Sequence, residues 1–313
     1  MLPIFLLPLL LIGGCWDRTE LNDLAIVTAI AIDKAEKNQV RVSVQVIAPQ
    51  KQSGGTTGGG GGGGSGSGEP QKTVLRFEEG SDISEALSML QRKLPRKLFW
   101  GQCKIIIFSE AVARAGVRHH FDFLVRHPQI RERAYMVVSK GKAADTLALY
   151  PPIERTSAEA LRKLSDLKIG IRVTMEQFSQ RLKGESQALA LPIIYILPTD
   201  PTLEPKQTIP YIYGSAVFKK DKMAGTLSEM VTRGVLWVRN EIQAYTVTYQ
   251  LAGSKGVVSL RPVEAHVKLI PHIRGDDWSI TVKVRTEGDI VQNGTLLDPM
   301  NPKRIAEMNE AFA

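Results

Sequence analysis

Ala25-Ile-Val-Thr-Ala-Ile-Ala-Ile-Asp33 is rich in β-branched and apolar residues, a polar turn fills 34–39, and Val40-Arg-Val-Ser-Val-Gln-Val46 alternates strictly. The pair reads as an antiparallel hairpin whose second strand buries one face. Outward from it, Thr73-Val-Leu-Arg-Phe77 resumes a strand. Ser81 or Asp82 then caps a helix with Ile83, Ala86, Leu87, Leu90 and Leu94 at helical spacing, stopped by Pro95. Cys103-Lys-Ile-Ile-Ile-Phe108 reads as a buried strand, 110–126 as helical and Ala134-Tyr-Met-Val-Val138 as a further strand. Strands alternating with helices predict a mixed α/β unit rather than a sandwich.

Further on, 156–167 and 174–182 look helical, and 189–197 is an apolar strand ended by Pro198. Pro198, Pro201, Pro205 and Pro210 in a short polar stretch make the clearest linker. Beyond it, 215–227 reads as a hairpin around a charged turn, and Ser228 opens a helix through Trp237. Four strands follow at meander spacing: 245–249, 257–260, 263–269 and 278–284. Val263, Ala265, Val267 and Leu269 share one face, as do Trp278, Ile280, Val282 and Val284. A helix starts at Asn301 and the chain stops inside it. The expected fold class is α+β, a multi-domain mixed α/β chain with an antiparallel-sheet C-terminal domain. The expected organisation is a signal peptide (1–14), an N-terminal mixed α/β domain (15–150), a middle domain (151–200), a proline-rich linker (201–213) and the C-terminal sheet with helices (214–313).

The start of the chain sets the compartment. Leu9-Leu-Leu-Ile-Gly-Gly-Cys15 is an apolar run closed by small residues and a cysteine, the pattern of a secretory signal whose cysteine takes a bacterial lipid anchor. No Lys or Arg precedes the run, a departure from the usual signal. A bilayer-spanning helix needs about 20 apolar residues, whereas Pro3 and Pro8 interrupt a much shorter stretch. With Cys15 lipid-bearing, Cys103 has no partner in the chain, so it reads as a small core hydrophobe and a disulfide framework is excluded.

The formal charge is +8, from 40 basic and 32 acidic residues spread along the chain. No helix-turn-helix, zinc-finger or RNP-type pattern supports nucleic-acid binding, and the anchor removes the chain from the cytoplasm. The densest basic stretch, Gln91-Arg-Lys-Leu-Pro-Arg-Lys97, and a second at Lys219-Lys-Asp-Lys222 suit phospholipid headgroups, although either is also what a solvated surface looks like. The glycine-rich insertion 54–68 is low-complexity coil, and its G-x-G-x-x-G matches arise from composition.

No catalytic constellation emerges. His119, His120 and His127 lack acidic or cysteine partners at ligand spacing, so no metal site is assigned. Ser165-Asp-Leu-Lys168 matches S-x-x-K without companion motifs and reads as exposed helix surface. Trp100 reads as a packed residue leading into the next strand.

Gly14-Cys15-Trp16-Asp17-Arg18, followed by Glu20-Leu-Asn-Asp-Leu-Ala-Ile26 and the apolar run to Asp33, resembles the Ger(x)C spore-germination lipoproteins. Further likenesses lie at Trp100-Gly-Gln-Cys-Lys-Ile-Ile-Ile-Phe-Ser-Glu110, at Asp122-Phe-Leu-Val-Arg126 with Gln129-Ile-Arg131, at Gly214-Ser-Ala-Val-Phe-Lys-Lys-Asp-Lys-Met223, and at Gly234-Val-Leu-Trp237. The resemblance implies three mixed α/β domains and a non-enzymatic C subunit of a nutrient germinant receptor. It implies an anchor through Cys15 on the outer face of the spore inner membrane, and no cofactor beyond the covalent lipid. The implied partners are multi-pass A-type and B-type subunits, with Asp17, Arg18, Glu20 and Asp23 placed to contact them; local capping and ion pairing are the alternative use of those four. The insertion departs from the family pattern, and relatives continue past the terminal helix, so an incomplete last domain is expected. Two rival readings remain. A solute-binding lipoprotein of a transporter would need a pocket between two similar lobes, and a cell-wall hydrolase would need catalytic groups.

Overall fold

The computed structural model describes residues 20–47, 73–202, 204, 206–242 and 245–312. The glycine-rich insertion lies outside them. Strands β1 (Leu24–Lys34), β2 (Val40–Ile47) and β3 (Thr73–Gly80) form an antiparallel meander, with the hairpin in the expected place. Helix α1 (Ile83–Arg92) follows, its first turn closed by the Asp82 carboxylate accepting from the Glu85 amide at 2.8 Å. The short β4 (Lys97–Phe99) pairs in parallel with the start of β1, and β5 (Ile105–Ser109) pairs in parallel further along it.

Residues 110–126 form two helices instead of the single expected one, α2 (Glu110–Ala115) and α3 (Arg118–Arg126). The break is at Gly116, whose φ of +124° a side chain would strain, and the Val117 amide leaves the helix to donate to the Asp221 carbonyl at 2.9 Å. Strand β6 (Tyr135–Ser139) joins β5 in parallel, and helices α4 (Ala143–Leu147), α5 (Ser157–Asp166) and α6 (Met175–Lys183) follow. Thr174 and Gln177 close a reciprocal capping box on α6.

Strand pairing runs unbroken past residue 150 and past the proline-rich stretch. Strand β7 (Ala188–Ile196) lies parallel to β6, and the hairpin β8 (Pro210–Lys219) and β9 (Lys222–Leu227) continues the same sheet. The expected division at 213/214 therefore falls inside β8, and the hairpin expected to open the C-terminal domain is the far edge of a nine-stranded mixed sheet. The prolines shape the crossing from β7 to β8, and the Thr208 hydroxyl ties it to the Leu197 carbonyl.

The central strands are covered on both faces, which is why they read as continuous apolar runs. Ile106, Phe108, Met136 and Val138 face the larger core, shared with α1, α3 and α6. Ile105, Ile107 and Val137 face the other way, onto α4 and α5. After β9, α7 (Glu229–Val238) starts at the expected Ser228 cap.

The C-terminal sheet has three strands among the described residues: β10 (Val247–Gln250), β11 (Val257–Arg274) and β12 (Asp277–Asn293). The two segments expected at 257–260 and 263–269 are one strand, because Pro262 sits at a bulge rather than ending it. Gly288 opposite makes room, since a Cβ there would fall 2.5 Å from a Leu260 methyl. The apolar face shared by the hairpin is as expected, with Val267 opposite Val284 and Leu269 opposite Val282, but it is exposed, with Trp278 at 76%. Helix α8 (Pro302–Phe312) closes a small core of Leu251, Val258 and Met308.

Candidate functional site

Cys15, Asp17 and Arg18 lie outside the described residues; Glu20 and Asp23 are in view. The Asp23 amide donates to the Glu20 carbonyl at 3.0 Å, closing a 3-10 turn over Leu21–Asp23 that feeds directly into β1. Both side chains are exposed, neither caps the turn, and among the described residues neither forms an ion pair. Five extended residues reach about 17 Å, so Glu20 stays within that distance of Cys15.

The structure brings the densest basic stretch to the same place. In the parallel pairing of β4 with β1, Lys97 stands opposite Leu24. Gln91 shapes the turn between α1 and β4: its amide donates to the Arg96 carbonyl at 3.0 Å, and its carbonyl oxygen accepts from the Leu98 amide at 2.9 Å. This clamp holds Arg96 and Lys97 beside the point where the chain enters the sheet. Lys93 bonds Glu78 at 2.5 Å, while Lys97 is exposed. Because β1, β5 and β6 are parallel, their entering ends lie on one side of the sheet, so this basic edge marks the side nearest the N-terminus.

Trp100 and His127 turn out to be packing groups, while His119 is exposed. Trp100 is buried, its amide donates to Gln129 Oε1 at 3.1 Å, and its ring lies 5.4 Å from that of His127, which also neighbours Phe123. Burial lowers the pKa of His127. It also lowers that of His120, helped by the neighbouring His119 charge. Among the described residues, no group of three metal-ligating side chains gathers. Ser165 corrects the expectation of an exposed surface residue: it is buried, with its hydroxyl donating to the Leu161 carbonyl at 2.9 Å. Lys168 lies beyond the helix with a φ of +54°. Cys103 is buried, and desolvation pushes its thiol to about 12, so it behaves as the small core hydrophobe expected.

Among the described residues, no helix is long and apolar enough to cross a membrane. The arrangement offers a charged edge beside the N-terminus on a rigid sheet, with no gathered set of nucleophile, base and oxyanion donors in view.

Two family models match the chain in succession. The first, described as the spore germination protein N-terminal domain, covers residues 17–196, and the second, described as spore germination B3/GerAC like, C-terminal, covers 213–313. The chain is 32% identical over 290 residues to the putative spore germination protein YfkR of Bacillus subtilis, spanning 92% of this chain and 74% of that one. It is 28% identical to the spore germination protein KC of the same organism, over 99% of this chain and 78% of the relative. The crystal structure of the GerBC protein shares the fold, with a TM-score of 0.50 at 19% identity, covering 90% of this chain and 76% of the other.

Proposed function

Since the chain belongs to the GerAC-like family of spore germination proteins, matched from residue 17 to residue 313 apart from the stretch between the two domains, we propose that it is the lipid-anchored C-type subunit of a nutrient germinant receptor. It acts without catalysis, by tethering and docking. Cys15 carries the anchor, and the basic edge of Lys97 and its neighbours meets the anionic headgroups of the membrane that holds it. Glu20 and Asp23, together with Asp17 and Arg18, face the multi-pass A-type and B-type subunits. The location is the outer face of the spore inner membrane.

The observation that carries this reading is the coincidence of the family match with a folded edge that puts a basic turn beside the N-terminal entry. A second acyl chain makes attachment durable where one chain binds only marginally. Confinement to the membrane plane then raises the effective concentration of the subunit around its partners, so a weak protein contact suffices for assembly. A solute-binding lipoprotein would need two similar lobes around a pocket, whereas this chain has a nine-stranded mixed sheet and a small, unlike three-stranded one.

Affinity capture of the chain from detergent-solubilised spore membranes tests the assignment. The expected result is co-purification of A-type and B-type multi-pass subunits; recovery with a transporter permease instead would overturn it. Cys15→Ala is expected to move the protein out of the membrane fraction or leave it unprocessed, and to lower germination through lost assembly. A variant that still fractionates with membrane removes the anchor from the account.

A further inference from the structure

At the entering ends of β5 and β6 lies a cleft of about 360 Å³, framed by Lys104, the loop before β6, the C-terminal half of α5 and the start of α6. A second, of about 200 Å³, adjoins it between α6 and the end of α7. Arg172 and Gln177 line both, so the two form one trough. Five basic residues against one acidic line the first cleft and four against one the second, with Arg172 counted in each. In a chain whose whole formal charge is +8, this is a concentration of charge in one place.

Part of that charge is neutralised internally. Glu159 bonds Arg162 at 2.7 Å and Lys104 at 3.4 Å, Asp166 bonds Arg162 and accepts from the Tyr135 hydroxyl at 2.6 Å, and Glu241 is held by Arg239 at 2.6 Å. Of the half-buried arginines, Arg172 and Arg181 are left over. Both are half-buried, and among the described residues neither forms an ion pair with a carboxylate. Arg172 lies against the Tyr135 hydroxyl. Burial, then the charge of Arg239, draws the Arg181 guanidinium below its usual range against the pull of Glu241. Half-buried guanidinium groups that line one cleft without a carboxylate bonded to them are stabilised by an anion taken from solution, and the planar fork of arginine matches a phosphate in two places.

We propose that this trough binds the phosphate group of an anionic ligand, with Arg172 and Arg181 as the residues that grip it. Lys168 and the exposed Arg131 and Arg133 draw the ligand in from the rim. The phosphate is carried either by a lipid headgroup or by a soluble phosphate compound. The cleft opens at the same side of the sheet as the chain entry, which favours the lipid; that preference rests on the proposed anchoring at Cys15, whereas the phosphate site does not.

The test uses the full-length Cys15→Ser chain, which carries no lipid, against two probes. Its co-sedimentation is measured with vesicles of phosphatidylcholine alone and of phosphatidylcholine with phosphatidylglycerol, and its binding of sodium tripolyphosphate by calorimetry. Binding to the phosphatidylglycerol vesicles only, competed by tripolyphosphate, is the expected result; tripolyphosphate binding without vesicle binding supports the site with a soluble source. Arg172→Gln with Arg181→Gln is expected to weaken binding about tenfold or more. Lys268→Gln with Lys283→Gln, which together remove an equal charge from the exposed hairpin, leaves it unchanged. If the double variant melts early, Arg181→Gln alone is read in its place. Binding of neither probe, or equal binding by the arginine variants and the paired lysine control, overturns the proposal. Failure of the anchor is read separately, from the membrane fractionation of Cys15→Ala.

Discussion

Phe178→Ala is expected to cost about 3–5 kcal/mol of folding stability. Phe178 projects from α6 into the larger core and is wholly buried. Its ring meets Phe121 of α3 edge-on at 4.8 Å and Phe218 of β8 at 6.1 Å, so one side chain joins two helices to the strand that carries the sheet past the proline-rich crossing. Aromatic pairs of this geometry add about 0.5–1.5 kcal/mol beyond the area they bury, and both are lost together. The flanking elements are pinned by the capping box on α6 and by the β7–β8 ladder, which prevents collapse into the hole. Urea unfolding followed by near-ultraviolet circular dichroism measures the loss. Phe178→Leu, which fills most of the volume, should lose less than half as much. A fall below about 1 kcal/mol for the alanine variant would mean that the cavity closes and that α6 is not fixed by this contact.

The central sheet was legible because strands buried on both faces carry their signal in composition: Ile105 to Phe108 need no neighbour to be recognised. The helix caps at Asp82 and Ser228 were legible for the same local reason. The two errors within helices came from long-range partners. The break at Gly116 depends on a carbonyl at Asp221, and the inward turn of Ser165 depends on what packs over α5. The unbroken sheet beyond residue 150 was hidden because β6 pairs with β7 across three intervening helices. The candidate site divides in the same way. An anchor motif is contiguous and can be read directly, but the nearness of Lys97 to Leu24 is a parallel pairing with α1 and two strands between them. The phosphate trough draws its arginines from separate segments between Arg131 and Arg239, each of which alone reads as solvated surface.

Asp33→Ala is expected to destabilise the chain by about 2–4 kcal/mol, the second large effect. Asp33 closes the run whose apolar character sets β1, yet it is buried at 4% exposure. Its two carboxylate oxygens accept from the amides of Ala143 at 2.7 Å and Ala144 at 2.9 Å. The residue at the N-cap of α4, Lys142, offers no side-chain acceptor, so Asp33 supplies from β1 the cap that the helix lacks in its own sequence. Alanine leaves two amides without partners. Asparagine restores one acceptor and turns an NH2 toward the other amide, so its loss should be intermediate. Burial raises the Asp33 pKa above 3.8, with Asp145 adding to the rise, while the two amides and the Ser109 hydroxyl oppose it. Between 3.8 and that raised value the folded state holds more protons than the unfolded one, so stability falls as pH rises through the window. Asparagine does not titrate. The advantage of the native residue over Asp33→Asn should therefore be greatest in acid and shrink toward neutrality, measured by urea unfolding at a series of pH values. An advantage that grows with pH would show that the amide donors outweigh burial and hold the carboxylate in its charged form.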